Sequence, residues 1–181
     1  MKTPGPDPAD EPLDLLDEAG CAVGRVTRAE AHSRPGIAHR AAHVMVFDSA
    51  GRLFLQKRSR SKLIQPGKWD SSAGGHVPAG EDYEAAALRE LAEELGVRLP
   101  DQSALKFSHE YWWRSPVETE LVRTCTDRCD GPFRLDESEL EDGRFWTIDE
   151  VRAAAGTGVF SPNLEEELRL LGIIPHSGQT T

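Results

Sequence analysis

An α+β sandwich built on a largely antiparallel sheet is the fold class this sequence predicts. Two observations point there first. Strand-like runs come in pairs joined by short Gly-containing turns, and helical patterns are interspersed among them. A third sets the scale: 181 residues suffice for one domain with a real core.

Taken in order, residues 1–12 (MKTPGPDPADEP) are a Pro/Asp-rich stretch expected to be a disordered tail. A single domain is expected over residues 13–174, and 175–181, ending in HSGQTT, as a flexible tail. Leu13–Leu16 and Val23–Val26 predict a hairpin across Glu18-Ala-Gly20. Ala42–Phe47 and Leu53–Gln56 predict a stronger one across Asp48-Ser-Ala-Gly51. A polar loop containing Pro66-Gly67-Lys68 leads into a short strand at Trp69-Asp-Ser-Ser-Ala. Gly74 to Gly80 reads as a loop from its glycines and proline. Asp82 to Leu95 is full of Ala, Leu, Glu and Arg and ends at Gly96, which predicts a helix. Strands follow around Leu105–Trp113, Glu118–Thr126 and Arg144–Thr147. A short helix begins at Ile148 and stops by Gly156, and Ser161-Pro162-Asn163 precedes a last helix, Leu164–Leu171.

A net charge of −10 argues against nonspecific nucleic-acid binding, which needs a basic footprint. It allows a small phosphorylated ligand if a metal ion reverses the sign locally. No apolar run approaches the ~18 residues of a membrane span, and the N-terminus lacks the apolar segment of a signal peptide. The expectation is a cytoplasmic protein with neither membrane nor nucleic acid as partner. Cys21, Cys125 and Cys129 are odd in number and read as ordinary thiols rather than a disulfide framework.

The stretch Arg89-Glu-Leu-Ala-Glu-Glu-Leu-Gly96 crowds three carboxylates into five positions of an already acidic chain. At about 100° per residue, Glu90, Glu93 and Glu94 share one helix face while Leu88, Leu91 and Leu95 form a stripe on the far side. Like charges at this spacing destabilise a helix slightly. A divalent cation would reverse that penalty. Glu81 falls in the loop ahead of the helix, free to turn toward the cluster, and Arg89 can hold a carboxylate bidentately.

The run Gly75-x5-Glu81-x7-Arg89-Glu90-Leu91-x-Glu93-Glu94-x-Gly96-Val97 resembles the signature of the Nudix hydrolases at every position. The resemblance implies a single Nudix α/β/α sandwich and hydrolysis of a nucleoside diphosphate linked to another group, with Mg2+ or Mn2+ as cofactor. By motif position, it implies Glu90, Glu93 and Glu94 as metal ligands, with the Gly75 carbonyl as a further one. Glu81 would assist the cluster, Arg89 would orient it, and Glu93 or Glu94 could deprotonate the attacking water. Dimers are common in the family, so a homodimer is a possible state. The resemblance extends over roughly residues 13 to 152 to a subgroup close to isopentenyl diphosphate isomerase, carried by His32, His39-Arg40-Ala41, Leu55-Gln-Lys-Arg-Ser59, Pro66-Gly67-Lys-Trp69 and Glu118-x-Glu120. It implies a possible second metal site of His32, His39, His76, Glu118 and Glu120, a donor set suited to Zn2+ or Mn2+. The isomerase carries a cysteine one position before the residue aligned with Gly75; Gly74 stands there. Glycine moves no proton, and the hydrolase motif is complete.

Further readings stay open. Gln56-Lys-Arg-Ser-Arg-Ser-Lys62 offers cations to phosphates or is a solvated loop. Tyr111 and Trp113 share one strand face, with Trp112 on the other, to cover a ligand or to pack the core. Glu137, Glu139 and Glu141 lie where some family members place an extra catalytic glutamate. Besides a diphosphohydrolase, an isoprenoid diphosphate isomerase or binder and a non-catalytic nucleotide sensor remain alternatives.

Overall fold

The computed structural model describes residues 8–62 and 64–176. Of the two expected loose tails, residues 1–7 and 177–181 fall outside that range. The rest of the first is ordered earlier than expected. Pro8–Asp10 forms a 3-10 turn, and the Glu11 carbonyl accepts from Arg28 N at 2.8 Å.

β1 (Pro12–Leu16) and β2 (Ala22–Thr27) form the expected first hairpin. α1 (Arg28–Ala31) follows, a single turn closed by a Thr27/Glu30 capping box. Then come β3 (Ala38–Phe47), β4 (Leu53–Arg58), β5 (Trp69–Asp70), β6 (Ala73–His76) and α2 (Tyr83–Glu94). β7 (Lys106–Arg114), β8 (Thr119–Arg128), β9 (Leu140–Trp146), α3 (Ile148–Ala154) and α4 (Pro162–Leu170) complete the chain.

Among the described residues, seven strands make one mixed sheet in the order β5-β4-β3-β8-β7, with β6 also on β3 and β9 on β4. Only β3 and β8 run parallel, in register from Ala38↔Thr119 to Phe47↔Arg128. Alternation along β3 divides the core. Ala42, Val44 and Val46 face α2, where Leu91 and Leu95 are fully buried. Met45 faces the other way, with Leu53 and Leu55 of β4, onto Val151 of α3 and Leu164 and Leu168 of α4. The result is the three-layer α/β/α arrangement. Each leucine buried from α2 stabilises that layer by about 1.5–3 kcal/mol, ample against the mild repulsion among its acids. None of the described helices is long and apolar enough to cross a membrane.

One element differs from expectation in a way that bears on function. Gly74, Gly75 and His76 are strand, paired antiparallel with β3, not loop. Neither glycine has a positive φ. They are there because side chains from two directions occupy the space a Cβ would need. At Gly75 that atom would fall 2.4 Å from Glu90 Oε1, and at Gly74 2.6 Å from His43 Cδ2. The two glycines face opposite sides of the sheet and so form a thin partition between the α2 layer and the α4 layer.

Candidate active site

A cleft of about 1030 Å³ opens at this partition. α2 enters through an Asp82 cap, whose side chain accepts from Ala85 N at 2.7 Å, and carries its acids to the cleft. Glu94 is buried. Its Oε2 accepts from Gly74 N at 3.0 Å and from Gln56 Nε2 at 3.2 Å. Burial first, and then the neighbouring Glu90, push its carboxyl up to about 8. Burial also raises Glu90, against the opposing pull of Arg89. Two acids that resist ionisation, side by side, are the arrangement a divalent cation relieves.

Arg89 ties the cluster together. Nη1 donates to Glu90 Oε1 at 2.6 Å and Glu93 Oε2 at 3.2 Å; Nη2 donates to the His76 carbonyl at 3.1 Å and Glu81 Oε2 at 3.4 Å. Glu81 thus lies in the loop and turns toward the cluster. Glu93 is the outlier: its side chain is 59 % exposed, at the mouth rather than the floor. The carboxylate oxygens of Glu90 and Glu94, with those of Glu93 at the mouth, are donors of the kind that suit a hard cation such as Mg2+ or Mn2+.

A second cluster sits beside the first. His39 and Glu120 are register partners across β3 and β8, with Nε2 and Oε1 3.4 Å apart. His76 Nε2 lies 3.6 Å from the same oxygen, and His32 Nε2 3.9 Å from Glu118 Oε1. One ring nitrogen from each of His32, His39 and His76 falls within 4.8 Å of the others. His39 Nδ1 faces the Ile37 carbonyl at 3.3 Å, so Nδ1 carries the proton. Nε2 is then buried without an aligned hydrogen-bond partner, turned toward the cluster. Burial drives His76 well below the usual imidazole range and lowers His32. Burial opposes ionisation of Glu120 too, but His39, 3.4 Å away, and His76 override it and hold the carboxyl near 2. His32 and His76 are thereby held toward the neutral form that metal ligation needs. At His39 burial works in the same direction, but Glu120 outweighs it and raises the imidazole.

The remaining candidates divide. Of the cationic run, Arg58 and Lys62 line the cleft, while Lys57 and Arg60 turn to Glu141. Glu139 lines the cleft, clasped by Lys62, while Glu137 is exposed and Glu141 lies on β9. Trp113 faces the cleft, and Tyr111 donates to Asn163 Oδ1. Trp112, on the other face, stacks with Arg114. The three cysteines are free. Sequence reasoning missed His43, Glu167, Asp70 and Asn163. A signal existed for one of them: His39 and His43 are four apart on a strand, hence on the same face.

The NUDIX domain model matches residues 37–164, and the chain belongs to that family. An isopentenyl-diphosphate Delta-isomerase of Nocardia farcinica is 39% identical over 163 residues, covering 88% of this chain and 93% of the relative. An uncharacterized Nudix hydrolase of Pseudomonas aeruginosa is 34% identical over 160 residues, covering 88% and 92%. Among solved structures, the Deinococcus radiodurans protein DR0079 superposes with a TM-score of 0.73 at 27% identity, over 88% of this chain and 98% of that one.

Proposed function

We propose that this chain hydrolyses the phosphoric anhydride bond of a small diphosphate compound, with Mg2+ or Mn2+ held by Glu90, Glu93, Glu94 and the Gly75 carbonyl. The observation that carries the reading is buried Glu94 beside Glu90, whose side chain is 12 % exposed, set against a backbone stripped of side chains at Gly74 and Gly75. A bound divalent ion neutralises phosphate oxygens and activates water. The chain's own groups do the rest. Arg89 fixes Glu90 and Glu81, and Gln56 with Gly74 N fixes one oxygen of Glu94, leaving the other for the cation. Glu93 and Glu94 are the candidates to take the proton of the attacking water. Arg58 and Lys62 supply positive charge for the diphosphate. His32, His39, His76, Glu118 and Glu120 hold a second ion, for which their mixed donor set favours Zn2+ or Mn2+ over Mg2+.

A second reading, isomerisation or binding of an isoprenoid diphosphate, is favoured by the histidine cluster and by relatives that carry the isomerase name. Against it, Gly74 offers no thiol, and Cys125 is buried in the core.

The test is a panel of nucleoside diphosphates, nucleotide sugars and isopentenyl diphosphate, with Mg2+ or Mn2+, read by phosphate release and product mass. We expect phosphate or a nucleoside monophosphate. An allylic isomer without phosphate release would favour the isomerase instead, and tight binding with no turnover would favour a sensor.

A further inference from the structure

Across the glycine partition from the acid cage, a buried ion pair reaches the cleft and none of the proposed steps uses it. His43, on β3, has Nδ1 3.1 Å from Glu167 Oε1, a charge contact rather than an aligned hydrogen bond. Glu167, from α4, has 0 % exposure; Thr124 Oγ1 donates to its Oε1 at 2.5 Å, and its Oε2 is buried without a partner. The His43 ring packs against Gly74, where a Cβ would meet it at 2.6 Å. Its side chain is 11 % exposed, and the residue lines the cleft. Among the described residues, Nε2 has no hydrogen-bonding partner, whereas Nδ1 is buried. The ring edge carrying Nε2 therefore meets whatever fills the cleft.

We propose that His43 is a specificity-determining residue, donating from Nε2 to an oxygen on the group that the substrate diphosphate carries, so that sugar or nucleoside diphosphates are preferred over hydrocarbon ones. This deepens the hydrolase reading of the same cleft and rests on it. Burying an ion pair for packing alone is commonly no better than an apolar pair of the same size. A pair that ends at a cleft wall is different, because the carboxylate orients the ring and favours a donor at its free nitrogen. Burial alone would keep His43 neutral, yet Glu167 holds the imidazolium up to about 9. The neighbouring wall is polar as well. Asn163 lines the cleft with Oδ1 engaged by Tyr111, so its amide N–H groups supply further donors. Asp70 is bound by Ser161 Oγ at 2.8 Å and by Arg58 Nη1 at 3.2 Å. A hydrocarbon tail laid here would strip these groups of water and return nothing.

Calorimetric Kd values with Mn2+ would be compared for the α,β-methylene analogues of ADP and CDP against isopentenyl methylenediphosphonate. The wild type should prefer the better nucleoside analogue. His43→Phe, made with Glu167→Gln so that no lone carboxylate stays buried, should cut that preference about tenfold, the loss of one charged donor. His43→Gln, made with the same Glu167→Gln, keeps a donor and should retain most of it. Both variants would first be matched to the wild type by circular dichroism and thermal midpoint. A wild-type preference for the isopentenyl analogue, or equal preferences in both variants, would overturn the proposal. Because these analogues cannot be cleaved, this result is independent of turnover. Nucleoside analogues bound with the predicted selectivity while the cleavable diphosphates stay intact would sink the hydrolase reading alone.

Discussion

Glu94→Gln is expected to remove hydrolysis while raising the thermal midpoint of the metal-free protein at pH 8. The two effects have one cause. In the folded chain Glu94 is buried beside Glu90 and titrates near 8, against 4.5 for an ordinary glutamate. Between those values the folded state keeps a proton that the unfolded chain releases. The stability linked to Glu94 is therefore fully present below about pH 4.5 and is lost as pH rises toward 8. An amide of the same shape stays neutral throughout and still accepts from Gly74 N. The gain should be about 2–3 kcal/mol at neutral to mildly alkaline pH, and absent at pH 4. Turnover should fall about a thousandfold or more, because a cage lacking one charge holds its cation poorly. Melting curves across pH, paired with phosphate release, check both halves. A variant that is less stable at pH 8, or that keeps its turnover, would remove Glu94 from the mechanism.

Installing a cysteine at position 74 is expected to damage the fold rather than create an isomerase. The backbone there is ordinary extended strand, so the obstacle is steric. A Cβ would sit 2.6 Å from His43 Cδ2 and 3.2 Å from Nε2, on a ring that Glu167 and the sheet hold in place. Gly74→Cys should cost about 1–3 kcal/mol, in line with other overpacked sites. His43→Ala should also destabilise, since it leaves Glu167 buried without its cation. Combined, the two should cost less than their sum by about 1 kcal/mol or more, because the smaller residue vacates the space the thiol needs. Chemical denaturation of the four proteins measures that coupling. Strict additivity, or allylic product from Gly74→Cys alone, would show that the clash does not govern this position.

Much of the layer architecture was legible in the residues. The helix from Tyr83 to Glu94 follows from its Ala/Leu/Glu content and its far-side leucines, and the hairpins follow from alternation and turn chemistry. The acid cluster was legible because a helix fixes which side chains share a face. The register of Gly74 and Gly75 was not. Glycine marks a turn and a close approach equally well, and only the arrival of Glu90 and His43 from other elements separates the two. α1 escaped notice because four residues are too few for a periodic signal. The pairing of His43 with Glu167 escaped because their contact spans 124 positions; the spacing of His39 and His43 puts His43 on the cleft face but says nothing of its partner. The exposure of Glu93, on the same helix face as the buried Glu94, depends on where the cleft ends, which sequence does not contain.

If the Glu90–Glu94 cage grips a divalent ion, Mg2+ titrated into the substrate-free protein should bind there. Calorimetry in two buffers of different ionisation enthalpy, at pH 7 and pH 9, counts the protons released per ion. Saturable binding should release about one proton at pH 7 and few at pH 9, as Glu94 gives up its proton to the cation, and should be lost in Glu94→Gln. Absence of saturable binding at millimolar Mg2+, or binding unchanged by the substitution, would contradict that grip.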